Sequence, residues 1–437
     1  MSDLLQACRQ GFLAIREQGH VEEPRREAMD RFLALGLPTT KNEDWKFTSL
    51  DALAKVPLEV SGDDGAVEPG LVALVEQLAP MADASRLVFV NGHLRPELSS
   101  PVPSGLLLES LGRVQEETPA VLDALRVPRG EREGHALVAL NAALSPGGTL
   151  LRVLPGVQVR PTLHLVYLSA SRGRLTMSHP RTVVMAQPGS RLSLVESFLG
   201  HDDDTYLTNA FTEVVVGDGA EVQHGRVQLE SRRATHLGMV RVTQGADGYY
   251  ALHTTSLGSA LGRHQVDVRL AQPGAACVLD GLFLGRDRQH LDHHTEVEHA
   301  AGRCTSAQEY RGVVDGEARG VFSGRILVQP GAQRTDASQH SRNLVLSPGA
   351  RVDAKPQLVI HTDDVKCSHG ATVGQLDDEP LFYLRSRGIP LDEARGILTY
   401  AFVADVVRRA PHASLRSLVH RLVAARLAHA PALEEVA

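Results

Sequence analysis

The sequence predicts a mainly β protein: a long solenoid of short strands, a β-helix, set between helical domains at its two ends. Three observations predict it. A similar turn recurs along the middle of the chain. The runs between turns alternate apolar and polar residues. No strong helical period interrupts residues 148–360.

The turns read LPGV at 154, QPGS at 187, GDGA at 217, QPGA at 272, QPGA at 329 and SPGA at 347. Their glycines are spaced by 33, 30, 55, 57 and 18 residues. Two gaps are near twice the first two, with QGAD at 244–247 a weak intermediate in the third. A turn returning at roughly 30 residues marks a repeat architecture. Pro sets the first turn dihedral, and Gly permits a positive φ at the next position. Between turns, Val266, Val268 and Leu270 alternate with Asp267 and Arg269, and Leu192 and Leu194 do the same in RLSLVES. A sandwich, a barrel or a solenoid fits such strands, and the regular spacing favours the solenoid. Its exposed strand ends need a cap or a partner.

The flanks follow in order. Residues 3–18 read as an amphipathic helix with Leu5, Cys8, Phe12 and Ile15 on one face. Cys8 is therefore expected in a core, since free Cys packs as a small hydrophobe. A second helix starts near Pro24, buries Met29, Phe32 and Leu33, and stops at Gly36 and Pro38. Trp45, the only tryptophan, anchors a loop on this domain, with a binding role as the alternative. Residues 61–70 are a linker, and RLVFVNG at 86–92 is half of a hairpin closed by Asn-Gly. Residues 116–145 read as helical or irregular. The expected units are a helical domain at 1–85, a mixed connecting region at 86–147, the solenoid at 148–375 and a helical domain at 376–437. In the last unit Asp378 caps a short helix running to Gly388. A second helix aligns Leu398, Phe402 and Val406, and a third aligns Leu415, Leu418 and Leu422.

Composition narrows the function. Net charge is −7 with no polybasic tract, so nucleic acid is not an expected partner. Aromatics are 4%, against 39 Gly and 23 Pro, which suits many strands and tight turns. The four cysteines, Cys8, Cys277, Cys304 and Cys367, form no C-x-x-C pair, which fits a reducing compartment. No basic segment followed by an apolar run opens the chain, and no stretch approaches about 18 apolar residues. A cytoplasmic protein without a membrane span is the expectation. There is no G-x-x-x-x-G-K-[ST], no G-x-G-x-x-G opening a helix and no G-x-S-x-G, so the chain has no nucleotide site of its own and little support as an enzyme.

Chemistry concentrates in HTDDVKCSHGATVGQLDDEPLFYLRSRG at 361–388. On a strand, Cys367 and His369 share one face with Cα atoms about 6.6 Å apart. That spacing gives half of a metal or cluster site, since such centres usually take four ligands. A packed thiol beside a hydrogen-bonded histidine is the alternative. A weaker metal candidate is QHLDHHTEVEH, where His293 and His299 share one strand face and His290 and His294 the other; a polar ladder is the alternative there. Cys277 and Cys304 read as packing residues, with persulfide acceptance as the alternative.

CSHGATVG followed by LFYLRSRGI resembles the C-terminal signature of the SufB/SufD family, with CSHGA pointing to the SufD branch. KNEDWKFTSL at 41–50, HLDHHTEVEH at 290–299, GVFSGRILVQPGAQRTDASQ at 320–339 and NLVLSPGARVDAKPQL at 343–358 extend the resemblance over nearly the whole chain. One departure is Val359, where family members often carry Glu. The resemblance implies a right-handed parallel β-helix in a non-catalytic scaffold subunit of the SUF iron–sulfur cluster assembly machine. It implies pairing with a SufB-like chain through solenoid strands and binding of the ABC-type ATPase SufC through the C-terminal helices. It places His369, with Cys367 beside it, at the SufB-facing surface, where iron or a transient iron–sulfur cluster would be held. The resemblance also allows an FAD in the assembled complex, and the exposed strand edge allows a homodimer of the isolated chain. Tyr383, Arg385 and Arg387 are the candidates for ATPase binding, as aromatics and Arg anchor interfaces; Phe382 is expected to seal the end of the solenoid. The rival readings are a β-helix enzyme acting on polysaccharide and a passive β-solenoid interaction module.

Overall fold

The computed structural model describes residues 3–17, 23–63, 69–81, 83–117 and 136–427. Its centre is a β-solenoid of about eight turns flanked by helices. From Arg181 onward, successive strands alternate between two sheets, so each turn contributes one strand to each. Pairing along the solenoid is parallel: Leu261 lies beside His290, and His290 beside Arg319, a period of 29 residues.

The alternation read in the sequence becomes an inside and an outside. Val266, Val268, Leu270, Leu279, Val297 and Phe322 fill the space between the sheets. Each such side chain, fully buried, contributes roughly 1.5–3 kcal/mol. Rings stack along the axis: Phe89, Tyr167 and Phe198 lie 5.0 and 4.8 Å apart between centroids. His236, His264 and His293 continue the stack at 4.8 and 5.2 Å.

The uneven turn spacing has a geometric cause. The turns at 154–157, 187–190, 217–220 and 271–275 all run from the first sheet to the second, along one edge of the solenoid. So do 245–248 and 300–304, which complete the two doubled intervals. Ser347–Ala350 runs from the second sheet back to the first, on the opposite edge, which explains the short final gap. Nor is glycine always the left-handed residue: at 329–334 that conformation falls on Arg334, with φ +58°, and not on Gly331.

The connecting region contributes to both sheets. Ala84–Val90 pairs in parallel with Thr162–Ser169, and Leu106–Ser110 pairs antiparallel with Thr149–Val153. The Asn-Gly hairpin forms, joining Ala84–Val90 to His93–Leu94, with Asn91 and Gly92 both at positive φ. Within 116–145 a helix covers Ala136–Leu144, while 118–135 lies outside the described residues.

Helices cover both outer faces, which is why strands here are apolar on two sides. Leu4, Cys8, Phe12, Met29, Phe32 and Trp45 pack with Met177, Leu207 and Leu237 of the first sheet. Burial pushes the Cys8 thiol up to about 12, the behaviour of a packing residue. On the second sheet, Val403, Val406, Leu415 and Leu418 pack against Val195, Val227, Leu282 and Val313. These come from helices Leu391–Arg408 and Ala413–Arg426. The short helix Asp378–Ser386 is capped by Asp377, whose carboxylate accepts from the Glu379 amide at 3.0 Å; Asp378 lies inside the first turn. No helix among the described residues is long and apolar enough to cross a membrane.

Candidate functional site: the open end of the solenoid

The last strand of each sheet, Arg351–Ile360 and Val365–Gly374, is ten residues long and paired on one side only. Pro356 sits in the middle of the first, a residue tolerated in strands mainly at edges. Long unprotected edges are templates for another chain.

Cys367 and His369 lie on the second of these strands, in register with Ala337 and Gln339 of the preceding rung. Ala337 and Gln339 are buried, so Cys367 and His369 project from the inward face of the final rung. Cys367 packs against the Ile326, Val328, Ala332 and Ala337 cluster together with Val365, and is partly covered. His369 is exposed. Burial and the nearby Asp336 carboxylate raise the Cys367 thiol above its ordinary value, so a metal or a partner cation is needed to favour its thiolate. Beneath His369, the Gln339 side chain is fully buried and neither amide atom has a hydrogen-bond partner. It occupies the space where residue 324 would carry a Cβ, so that position is glycine. Among the described residues no three His, Cys, Asp or Glu side chains gather into a metal cage. Among the described residues, the Cys367–His369 pair has no third such side chain gathered beside it. Val359 lies on the other edge strand in register with Leu327.

The histidines of 290–299 divide as strand geometry predicts. His293 stacks inside on His264 and Phe283, and His299 donates to or accepts from Ser306 inside at 2.8 Å. Burial holds both down to about 4. Outside, His290 meets the Thr48 hydroxyl at 2.9 Å and His294 pairs with Asp292 at 2.9 Å. Two faces separate the four rings, and their ring partners come from the protein. Cys277 and Cys304 are buried and raised by burial, and all four cysteines are free.

Helix Asp378–Ser386 buries none of its residues. Phe382 is 74% exposed, so it does not seal the solenoid; the expectation fails because the helix stands away from the sheets. Tyr383 is 56% exposed, and the Arg387 guanidinium donates to its hydroxyl at 3.1 Å. Arg385 is exposed on the same short helix.

A buried ionic network went unread in the sequence. Glu196 accepts from Arg226 at 3.3 Å and Thr212 at 2.7 Å, and meets His224 at 3.1 Å. Burial opposes ionisation of Glu196, but Arg226 and His224 hold it at about 2. The signal was available: Glu196 is in phase with Leu192 and Leu194, hence inward.

The fold and this end define a class: a two-sheet β-solenoid, helix-covered on both faces, that presents a Cys–His pair on a final rung paired on one side only. Comparison with known proteins identifies the family. The model of the SufBD core domain of SUF-system FeS cluster assembly matches residues 167–402, and that of the SufBD N-terminal region matches 3–165. An iron–sulfur cluster assembly SufBD family protein of Synechocystis is 31% identical over 436 residues, 97% of this chain and 95% of its own length. The iron–sulfur cluster assembly protein SufD of Escherichia coli is 30% identical over 91% of each chain, and that of Bacillus subtilis 28% over 91% of each. The chain belongs to the SufBD family of the SUF system of iron–sulfur cluster assembly.

Proposed function

We propose that this chain is a non-catalytic scaffold subunit of cytoplasmic SUF cluster assembly, acting as half of a shared site. The open final rung carries the reading: two ten-residue edge strands, each paired on one side only, with Cys367 and His369 on the second. A SufB-like chain would continue the sheets there and supply the missing ligands to iron or a nascent cluster. The His369 imidazole is a suitable iron ligand, and Cys367 would sit beside it as a second donor or a packing residue. The same edges would let an isolated chain pair with a second copy.

The exposed helix Asp378–Ser386, with Tyr383, Arg385 and Arg387, would bind the SUF ATPase, which brings the nucleotide site this sequence lacks. Co-purification from cell extract tests the whole reading. Recovery of a SufB-like chain and an ABC-type ATPase is expected. Recovery of neither, at any salt, overturns it.

A further inference from the structure

Beneath the final rung a column of polar side chains runs along the core of the solenoid. Gln308, Gln339 and His369 are ladder partners on three successive rungs. Parallel strands stand about 4.8 Å apart, so neighbouring amides can hydrogen-bond along the axis, as in glutamine ladders. The column begins at Gln308, because its partner one rung earlier is Leu279. Gln308 and Gln339 are buried, and Gln339 lies across Gly324, where a Cβ would collide with its amide. The core is shaped to hold that amide in place.

Only one amide atom of the two glutamines has a partner: Gln308 Oε1 accepts from the Thr295 hydroxyl at 2.7 Å. Left over are Gln308 Nε2, Gln339 Oε1 and Gln339 Nε2. Buried polar groups are normally satisfied. One arrangement along the axis uses all three. Gln308 Nε2 donates to Gln339 Oε1, and Gln339 Nε2 donates to the next rung, where the side chain is His369. Reversing both amides would leave Gln308 Nε2 unpaired and bring a second donor to the oxygen that Thr295 already occupies. Thr295 therefore sets the direction of the column. A neutral imidazole has one nitrogen that donates and one that accepts. A bond from Gln339 takes the accepting lone pair, and a metal ion binds that same lone pair.

We propose that Gln339 is a positioning residue for His369: in the free chain its amide donates to a ring nitrogen, and iron must displace that bond before the imidazole can bind it. The column Thr295–Gln308–Gln339 thereby restrains loading of the isolated chain and favours loading where a partner supplies further ligands. This rests on the reading of His369 as an iron ligand. The test uses the full chain with nitrogen-15 histidine in mildly alkaline buffer, the His369 ring resonances being assigned by their loss in His369→Ala. Without metal, these resonances report whether the lone pair accepts a hydrogen bond. Gln339→Leu and Thr295→Val should shift them in the same direction, although Thr295 lies two rungs away. Co(II), a paramagnetic stand-in for iron, is then titrated and read at the same resonances. Both variants should bind it about fivefold more tightly, because one neutral hydrogen bond no longer competes. If Gln339→Leu folds poorly by circular dichroism, Thr295→Val, which keeps the side-chain shape, decides alone. Unchanged ring resonances in Thr295→Val, or a Co(II) affinity unchanged or lower in a folded variant, overturns the proposal. Absence of Co(II) at His369 in every chain overturns the iron-ligand reading and the restraint on loading with it, while the metal-free resonances judge the hydrogen bond independently.

Discussion

Gln339 and His369 are ladder partners at the open end of the solenoid, one sealed in the core with its amide unpaired and the other exposed to solvent. A buried amide beneath an exposed imidazole is a fixed polar floor under a group free to take a ligand. His369→Ala is therefore expected to abolish or sharply lower cluster formation in the assembled complex, with assembly intact. Absorbance after reconstitution, with size exclusion as the check, measures it. Normal cluster yield would reduce His369 to a surface residue.

Cys367 should matter less. Its thiol is raised and half-packed among Ile326, Val328 and Ala337, so much of its role is contact. Cys367→Ala should lower cluster yield by a smaller factor than His369→Ala in the same assay. The reverse order would make the thiol the main ligand.

Tyr383→Ala with Arg387→Ala should weaken ATPase capture without unfolding the solenoid, because neither side chain is buried. Deleting residues 376–437 is not a clean control, since Val403, Val406 and Leu415 cover the second sheet. Removing only 377–388 is better. Capture at full strength by that shorter deletion would rule out this helix.

Arg226→Ala should destabilise the chain by about 3–5 kcal/mol, because it leaves the Glu196 carboxylate buried with a lost cation. Urea unfolding measures this. The double variant Glu196→Gln with Arg226→Met should recover much of the loss, since replacing both partners removes the stranded charge. A single variant as stable as the parent would show that His224 alone carries the pair.

Stability should fall as pH drops from about 6.5 toward 4. His253, His293 and His299 are held at about 4 and His164 and His179 at about 3, all mainly by burial, against an ordinary value of 6.5. The unfolded chain then binds more protons in that window, so acid favours it. Asp280, raised by burial to about 7, works in the opposite direction but is one group against five. Thermal midpoints across this range check the sign; a flat profile between pH 6.5 and 4.5 would contradict it.

Most of the fold was legible because a solenoid repeats a local rule. Period-two alternation placed Val266, Val268 and Leu270 inside before any contact was known, and it divided the four histidines of 290–299 between two faces correctly. The turn motif gave the repeat length but merged two edges, since Ser347–Ala350 has the same residues as turns on the other side. The strands at 84–90 and 106–110 were harder, because their partners lie far along the chain and no local pattern names them.

The sequence by itself determined the alternation of strand and turn, the helices at each end and the shared face of Cys367 and His369, all properties of neighbours within a few residues. Tertiary structure alone decided which rung is last and uncovered, that Phe382 faces solvent, that Glu196 meets Arg226 in the core and that Arg263 stacks on Trp45. Those depend on residues tens to hundreds of positions apart. Only the closing of the solenoid and the docking of its helices bring them within reach.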